Sequence, residues 1–162
     1  MRSAPQLEER ARDSLPSERK MEIPRVLMEQ ILGHARSGYP FEVCGVLLGR
    51  NGERARNVDR VVPAVNRERD SPHVRYEIAP EDLDRIQREA LDDGREILGY
   101  YHSHPDHPAR PSETDRRIAA EGLSDGVVHM VVGVERGQHA SPSAWVFRDR
   151  ERAFEAEPLD IE

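Results

Sequence analysis

A short apolar run that ends in two histidines is the feature that most constrains the fold of this chain. Residues 97–101 have the composition of a buried strand, and His102-Ser103-His104-Pro105 follows without a break. Side chains two residues apart on an extended backbone point to the same face, so the two imidazoles can converge on one ion while Ser103 faces away. We therefore expect a sheet in which a buried strand carries two metal ligands.

The other apolar patterns predict helices and strands on both sides of this strand. Predicted helices cover 24–37, 80–93 and 112–121, and predicted strands cover 43–49, 56–65, 73–78, 127–134 and 144–148. Asn51-Gly52 predicts a tight hairpin turn between the first two strands. This mixture of elements predicts an α/β (α+β) fold with a mixed sheet.

The beginning of the chain differs in composition from the rest. Residues 1–20 are polar, mixed in charge and interrupted by Pro5 and Pro16, and we expect them to form a flexible N-terminal tail. The remaining residues, 21–162, have a length that suits one domain with its own core.

Charge, cysteine content and hydropathy limit the classes of partner that the protein can bind and the cellular compartment that suits it. The formal net charge of −7 does not favour binding to nucleic acid or to anionic lipid. No segment approaches the roughly 20 apolar residues of a membrane span. The single cysteine, Cys44, excludes a disulfide within the chain and suits a reducing compartment. We expect a soluble cytoplasmic protein with neither nucleic-acid nor membrane partners.

A serine and an aspartate follow the histidine pair after a proline-rich loop. Ser112 and Asp115 lie three residues apart, on neighbouring positions of a first helical turn. Asp115 could join His102 and His104 as a third ligand of Zn²⁺, and such a site leaves a fourth position for water. The alternative is a capping box, in which the serine oxygen only terminates a helix. The neighbouring histidine pair favours the metal site.

A hydrolytic zinc site also needs an acceptor for the proton of its water. Glu42 is the best candidate, because it directly precedes the apolar strand predicted over 43–49. That strand is expected to pack next to the strand that carries the histidines. The alternative is a solvated acid at the entrance to a strand, which the position of Glu42 taken alone would favour.

The composite pattern resembles the JAMM motif of the MPN-plus (Mov34/PAD-1-like) metalloproteases. The family pattern is Glu…His-x-His-Pro-x6-Ser-x2-Asp, and every position is filled, by Glu42, His102, His104, Pro105, Ser112 and Asp115. The segments 42–49 and 99–105 resemble the family's first strand and its metal strand. The resemblance covers roughly 23–148 and implies a single MPN/JAB-type domain with a mixed, curved sheet flanked by helices.

The resemblance also implies a role for each residue of the motif. His102, His104 and Asp115 would bind one Zn²⁺ per chain, with water as the fourth ligand. Glu42 would accept the proton of that water and later deliver it to the leaving amine. Ser112 would donate a hydrogen bond to the developing oxyanion.

The substrates of this family imply the kind of partner. Members cleave peptide or isopeptide bonds after the C-terminal diglycine of ubiquitin or ubiquitin-like proteins. A stand-alone domain of this size resembles the small prokaryotic members, which act on ubiquitin-like sulfur-carrier proteins and release an amino acid, such as cysteine, or a conjugated protein. Residues 66–75, with Arg67, Arg69 and Arg75, are our candidate for contacting the carrier. Pairing of two chains into a homodimer is left open.

Three other functions stay open. The first is a non-catalytic MPN scaffold domain, although such domains typically lose metal ligands and this chain keeps them. The second is a JAMM deconjugase of a defence or repair pathway, which the acidic charge does not exclude. The third is a structural zinc or phosphoesterase site, but a phosphoesterase would be expected to add basic or further metal-binding residues near the centre.

Overall fold

The computed structural model describes residues 19–122 and 124–162. Residues 1–18, most of the predicted tail, lie outside the described residues, whereas Lys20 already begins the first strand. The elements follow the chain in the order β1 (Lys20–Ile23), α1 (Arg25–Gly38), β2 (Cys44–Asn51), β3 (Ala55–Ala64), α2 (Pro80–Asp92), β4 (Glu96–Pro105), α3 (Glu113–Glu121), β5 (Val128–Glu135), β6 (His139–Arg148), β7 (Ala153–Glu157) and β8 (Leu159–Ile161).

One mixed sheet contains all eight of these strands, in the order β7-β6-β5-β4-β2-β3-β1-β8. β4 runs parallel to β5, and β1 runs parallel to β3 and β8, while the other neighbours are antiparallel. The connection from β4 to β5 is a crossover that contains α3. The predicted α/β class with a mixed sheet and flanking helices is confirmed.

The sheet is strongly curved, because its two edge strands are consecutive in the chain. β7 and β8 lie at opposite ends of the strand order, yet only Pro158 separates them. The sheet must therefore curl until its edges approach each other. A buried ion pair marks this closure, with Arg56 Nε at the start of β3 lying 3.1 Å from an oxygen of Glu157 at the end of β7.

Helices cover both faces of the sheet. On one face α1 buries Ile31 in a cluster with Tyr101, and on the other α2 buries Ile86 in a cluster with Val46. Tyr100 packs against the second cluster, so the two adjacent tyrosines of β4 face opposite sides of the sheet. None of the three helices in the described part of the chain is long and apolar enough to cross a membrane.

The histidine strand extends further than the sequence predicts. Cys44, the first residue of β2, pairs with His102, and β4 then continues along β5 alone through Ser103, His104 and Pro105. β4 therefore projects past the end of β2, and His102 lies on the same face of the sheet as Cys44 and Tyr100, which α2 covers. This step in the sheet exposes the histidine end to a cleft.

The strand predicted over 73–78 is wrong. Residues 71–79 form a turn and irregular structure, held by the side chain of Asn66. Its Oδ1 accepts a hydrogen bond of 3.1 Å from the amide of Glu77, and its Nδ2 donates one of 3.1 Å to the carbonyl of Arg75. An amide side chain thus satisfies the backbone groups that a neighbouring strand would otherwise bind.

Three strands were not predicted, namely β1, β7 and β8. Each is short and carries charged side chains, so the apolar patterns that predicted the other strands are missing. β7 and β8 are the two edges of the sheet, where charged side chains are common because they discourage pairing with other chains.

The close approach of β4 to β5 yields a prediction about glycine. A Cβ at Gly99 would lie 2.0 Å from the carbonyl oxygen of Val128, whereas a Cβ at Gly33 in α1 meets nothing within 4 Å. We expect Gly99→Ala to lower the free energy of unfolding by about 1–3 kcal/mol. Gly33→Ala should raise it by about 0.5–1 kcal/mol, because alanine favours a helix. Urea unfolding of both variants measures the difference, and equal shifts would contradict the predicted packing.

Candidate metal centre

Three side chains from β4 and the start of α3 converge on one point. His102 Nε2 lies 3.1 Å from His104 Nε2 and 3.2 Å from Asp115 Oδ2. His104 Nε2 lies 3.1 Å from the same aspartate oxygen. The alternation of β4 places both imidazoles on one face, and the first turn of α3 brings the carboxylate to them.

The converging atoms suit a divalent metal ion. Each of them can offer a lone pair, and three lone pairs at this separation repel one another unless a proton or a cation lies between them. Among the described residues, Asp115 forms ion pairs only with the two histidines and with no lysine or arginine. Two imidazoles and a carboxylate are ligands that Zn²⁺ accepts. The residues present therefore fit a zinc ion.

The protein fixes which nitrogen of His104 is free to bind a metal. Nδ1 of His104 lies 3.0 Å from the carbonyl oxygen of Pro108, so this nitrogen is the donor and Nε2 keeps its lone pair in the neutral ring. The Pro108 loop is held on both sides. Asp106 accepts a hydrogen bond from the amide of Arg136, and the carbonyl of Ala109 accepts one from the indole of Trp145.

Tyr76 supports the other imidazole and was not predicted from the sequence. Its ring stacks on that of His102, with centroids 4.6 Å apart and planes inclined by 23°. His102 Nδ1 is buried without a hydrogen-bond partner among the described residues, so the stacking adds to the contacts of Nε2 in orienting this ring. Nothing in the sequence placed Tyr76 beside His102, because the segment 73–78 was predicted to be a strand of the sheet.

Ser112 and Asp115 do form the capping box that was the alternative to the metal site. Ser112 Oγ accepts a hydrogen bond of 3.0 Å from the amide of Asp115, and the amide of Ser112 donates one of 2.8 Å to Asp115 Oδ2. The two alternatives are compatible, because the aspartate oxygen that accepts from Ser112 also faces both imidazoles. The serine hydroxyl uses a lone pair in the cap and keeps its hydrogen for another acceptor.

Glu42 faces the histidines from the strand entrance at β2. A carboxylate oxygen of Glu42 and a ring nitrogen of each of His102 and His104 all lie within 4.8 Å of one another. Glu42 is 5% exposed, and its Oε1 has no hydrogen-bond partner among the described residues. The alternative of a solvated acid is therefore excluded, and a buried carboxylate adjoins the candidate metal ligands.

Burial and neighbouring charges separate the acidities of the two carboxyl groups. Burial raises the pKa of Glu42 to about 8, although the charge of His104 partly opposes this. Burial would also raise the pKa of Asp115, but the hydrogen bonds from the imidazoles and from Ser112 outweigh it and hold that pKa below its ordinary value. Glu42 is thus suited to taking up a proton, and Asp115 to remaining an anion.

Two cavities flank the converging residues. The polar cleft has a volume of about 290 Å³ and is lined by Glu42, Val74, His104, His107, Pro108, Arg110, Pro111, Ser112 and Thr114. The apolar pocket, of about 350 Å³, lies on the other side of Asp115, among Tyr76, Tyr100, Ile118 and neighbouring residues. A larger cavity beside Tyr39 and Asp106 contains none of the predicted site residues.

The other histidines and the cysteine fall outside the metal centre. His107 is exposed and lines the polar cleft. His129 lies in β5, where its ring packs edge-on against Phe154 and its Nε2 has no hydrogen-bond partner among the described residues. Cys44 is fully buried, and burial raises its pKa to about 12, which agrees with an inert thiol.

The sequence of this chain is similar to one protein family and to several known enzymes. The profile of a family described as prokaryotic homologs of the JAB domain matches residues 24–150. A desampylase of Haloferax volcanii is 41% identical over 57% of this chain and 67% of its own length. The CysO-cysteine peptidase of Mycobacterium tuberculosis is 36% identical over 59% of this chain and 62% of its own length. The matched region thus spans about two thirds of each relative.

A solved structure supports the fold over most of the chain. A protein of Desulfitobacterium hafniense, determined in solution, superimposes with a TM-score of 0.77 at 27% sequence identity. The match covers 88% of this chain and 92% of that one, so the two proteins share an overall fold.

The buried Glu42 predicts how stability depends on pH in the metal-free protein. Its pKa is about 8 in the folded state against an ordinary value of 4.5, so between these pH values the folded state holds a proton that the unfolded state has released. The free energy of unfolding should therefore fall as the pH rises through this window, by up to about 1.4 kcal/mol per pH unit. Glu42→Gln should remove this contribution.

Urea unfolding between pH 5 and pH 8 in the presence of a chelator measures this effect, as the difference between the natural protein and the variant. The free energy of unfolding of the variant should increase relative to that of the natural protein as the pH rises. Parallel stability curves for the two proteins would show that Glu42 does not take up a proton on folding.

Proposed function

The chain belongs to the family of prokaryotic homologs of the JAB domain, and on this premise we propose that it is a zinc-dependent peptidase acting on ubiquitin-like carrier proteins. It would hydrolyse the bond after the carrier's C-terminal diglycine. The observation that carries the proposal is the convergence of His102, His104 and Asp115 at 3.1–3.2 Å with the buried carboxylate of Glu42 beside them.

The three converging residues would hold the zinc ion. When bound, zinc would polarise the scissile carbonyl and lower the pKa of water. The hydrogen bond from His104 to the carbonyl of Pro108 and the stacking of Tyr76 on His102 keep the two rings in place. A non-catalytic scaffold would have no need of such an arrangement, since it requires neither the ligands nor a buried base.

Glu42 would move the proton. Its buried carboxylate takes a proton from the attacking water and returns it to the leaving nitrogen. Its backbone is fixed, because its amide donates a hydrogen bond of 2.7 Å to the carbonyl of Pro72 and its carbonyl accepts one of 3.0 Å from Asn66. A rigid backbone and an unpaired carboxylate oxygen suit a group that has to take up a proton at one position and deliver it at another.

Ser112 would stabilise the oxyanion that develops as water attacks. Its hydroxyl lines the polar cleft and is held at the first turn of α3 by its capping bond to Asp115. The hydroxyl hydrogen is free to point towards the substrate carbonyl oxygen. Loss of a comparable donor in other enzymes costs about 3 kcal/mol of transition-state stabilisation.

The names of two relatives support a carrier protein as substrate. One is called a CysO-cysteine peptidase and the other a desampylase. We propose that the carrier body contacts residues 66–75, which Asn66 holds next to Glu42 and which extend to Val74 at the rim of the polar cleft. Of the three arginines in this segment, Arg67 lies 3.7 Å from Asp82, whereas Arg69 and Arg75 form no ion pair among the described residues. The buried Cys44 agrees with a reaction in the cytoplasm.

Metal binding should depend on Asp115. We expect one zinc ion per chain in the natural protein and loss of that ion in Asp115→Asn, because the amide cannot provide the anionic oxygen that faces both imidazoles. Elemental analysis after dialysis against zinc and then zinc-free buffer measures the content. Asp84→Asn, at an exposed position of α2, is the matched control and should keep its zinc. A full complement of zinc in Asp115→Asn would contradict the ligand set.

Hydrolysis should depend on Glu42 without a change in metal content. Glu42→Gln should lower the turnover of a CysO-cysteine adduct by about 10²–10⁴-fold, the usual contribution of a general base. Intact mass measurement follows the loss of cysteine, and Glu89→Gln in α2 serves as the control. Undiminished turnover by the zinc-loaded Glu42→Gln protein would remove Glu42 from the mechanism. Trimming of unrelated peptides, but of no diglycine-tailed carrier, would contradict the proposed substrate.

A further inference from the structure

The polar cleft beside Glu42 contains a single strong positive charge. Arg110 is the only arginine or lysine among the residues that line it. Among the described residues, no carboxylate oxygen lies within 4.0 Å of its guanidinium, although many other arginines of this chain form ion pairs. A cationic side chain in a cleft, with no anion of its own protein beside it, is suited to binding an anionic group of a ligand.

The loop that carries Arg110 is rigid. Pro108 and Pro111 flank the segment, and the amide of Arg110 donates a hydrogen bond of 2.8 Å to the carbonyl of Pro108. The intervening carbonyl, that of Ala109, is held by the indole of Trp145 in β6. The base of the arginine side chain is therefore fixed relative to the metal ligands, since Pro108 also binds His104.

The proposed role of Glu42 indicates which part of the substrate binds in the polar cleft. Glu42 gives its proton to the leaving nitrogen, so that nitrogen must lie against Glu42. Glu42 lines the polar cleft and does not line the apolar pocket on the far side of Asp115. The leaving group therefore occupies the polar cleft, together with Arg110.

The size of the cleft limits the leaving group. About 290 Å³ lies at the lower end of the volumes of small-molecule sites. Val74, Pro108 and Pro111 provide apolar walls of fixed shape around it. A single small amino acid fits such a space, whereas a folded protein linked through a lysine would have to lie outside it.

We propose that Arg110 binds the α-carboxylate of a single amino acid that leaves from the carrier, an inference that rests on the proposed function. The preferred substrate is then a linear carrier extended by one residue beyond the diglycine. Water adds to the glycine carbonyl carbon, and the C–N bond breaks. The proton passes through Glu42 to the nitrogen, giving a carrier carboxylate and a free amino acid.

A lysine-linked conjugate offers Arg110 no such partner. Its scissile nitrogen is the end of a side chain, and four methylene groups separate it from the backbone. The nearest carboxyl group of that lysine is itself part of a peptide bond. The guanidinium would gain nothing from this substrate, so the preference for the linear bond should depend on Arg110.

Three defined substrates test the inference with the zinc-loaded protein. They are CysO extended by one C-terminal cysteine as the free acid, the same protein as the C-terminal amide, and CysO joined through its terminal glycine to the Nε of Nα-acetyl-lysine amide. We expect kcat/KM for the acid to exceed that for the other two by about tenfold or more, the usual worth of one hydrogen-bonded charge.

Variants of Arg110 separate binding from chemistry. Arg110→Gln should raise KM for the acid at unchanged kcat and should leave the amide unaffected, because binding of the carboxylate is the same in the ground and transition states. Arg110→Lys should keep part of the preference. Arg117→Gln, at an exposed position of α3 outside the cleft, removes the same charge and should behave as the natural protein.

The possible outcomes distinguish a failure of the role of Arg110 from a failure of the proposed peptidase function. Equal hydrolysis of acid and amide by the natural protein, or equal slowing of both by Arg110→Gln, would overturn the role of Arg110 and leave the peptidase intact. Preferred cleavage of the lysine-linked substrate would overturn it as well. If none of the three substrates is cleaved, the proposed function fails and this inference fails with it.

Discussion

A two-way hydrogen bond between neighbouring strands determines the geometry of the whole site. Ser103, the residue between the two histidines, donates its amide to the carbonyl of Val43 at 3.0 Å and accepts the amide of Val43 on its hydroxyl at 2.9 Å. This contact lies where β4 projects past β2, so the regular ladder no longer holds the chains together. It fixes the residue next to Glu42 against the histidine strand. The proton acceptor and the metal ligands are therefore positioned by one buried serine.

Much of the site could be predicted because its parts have local signals. The two histidines alternate on a strand, and Ser112 and Asp115 occupy one helical turn, so each pair depends on a short stretch of chain. The position of Glu42 depends on pairing between β2 and β4, which the apolar character of both runs predicted. The residues that support the site were harder to find. Tyr76 reaches His102 from an irregular segment whose shape is set by the side chain of Asn66.

In the fold, too, the elements with a local sequence pattern were predicted and those that depend on distant parts of the chain were not. The long helices and the apolar strands were predicted, because burial on one or both faces leaves a periodic pattern. The short charged strands β1, β7 and β8 were not, since their place in the sheet depends on how the sheet curves. No local pattern reports that curvature. The buried pair of Arg56 and Glu157 joins residues 101 positions apart, and neither residue differs in sequence context from the many exposed charges around it.

The approach of β7 to β8 also affects how the protein behaves at high concentration. An open sheet presents a row of unpaired backbone groups at each edge, onto which a second molecule can polymerise. Here a single proline joins the two edges, and Glu157 beside it is engaged in the ion pair with Arg56. We expect this connection to hinder the pairing of a second molecule with either edge where the two edges meet. The connectivity of the fold thus adds to the effect of the charged side chains on β7 and β8, which also discourage such pairing.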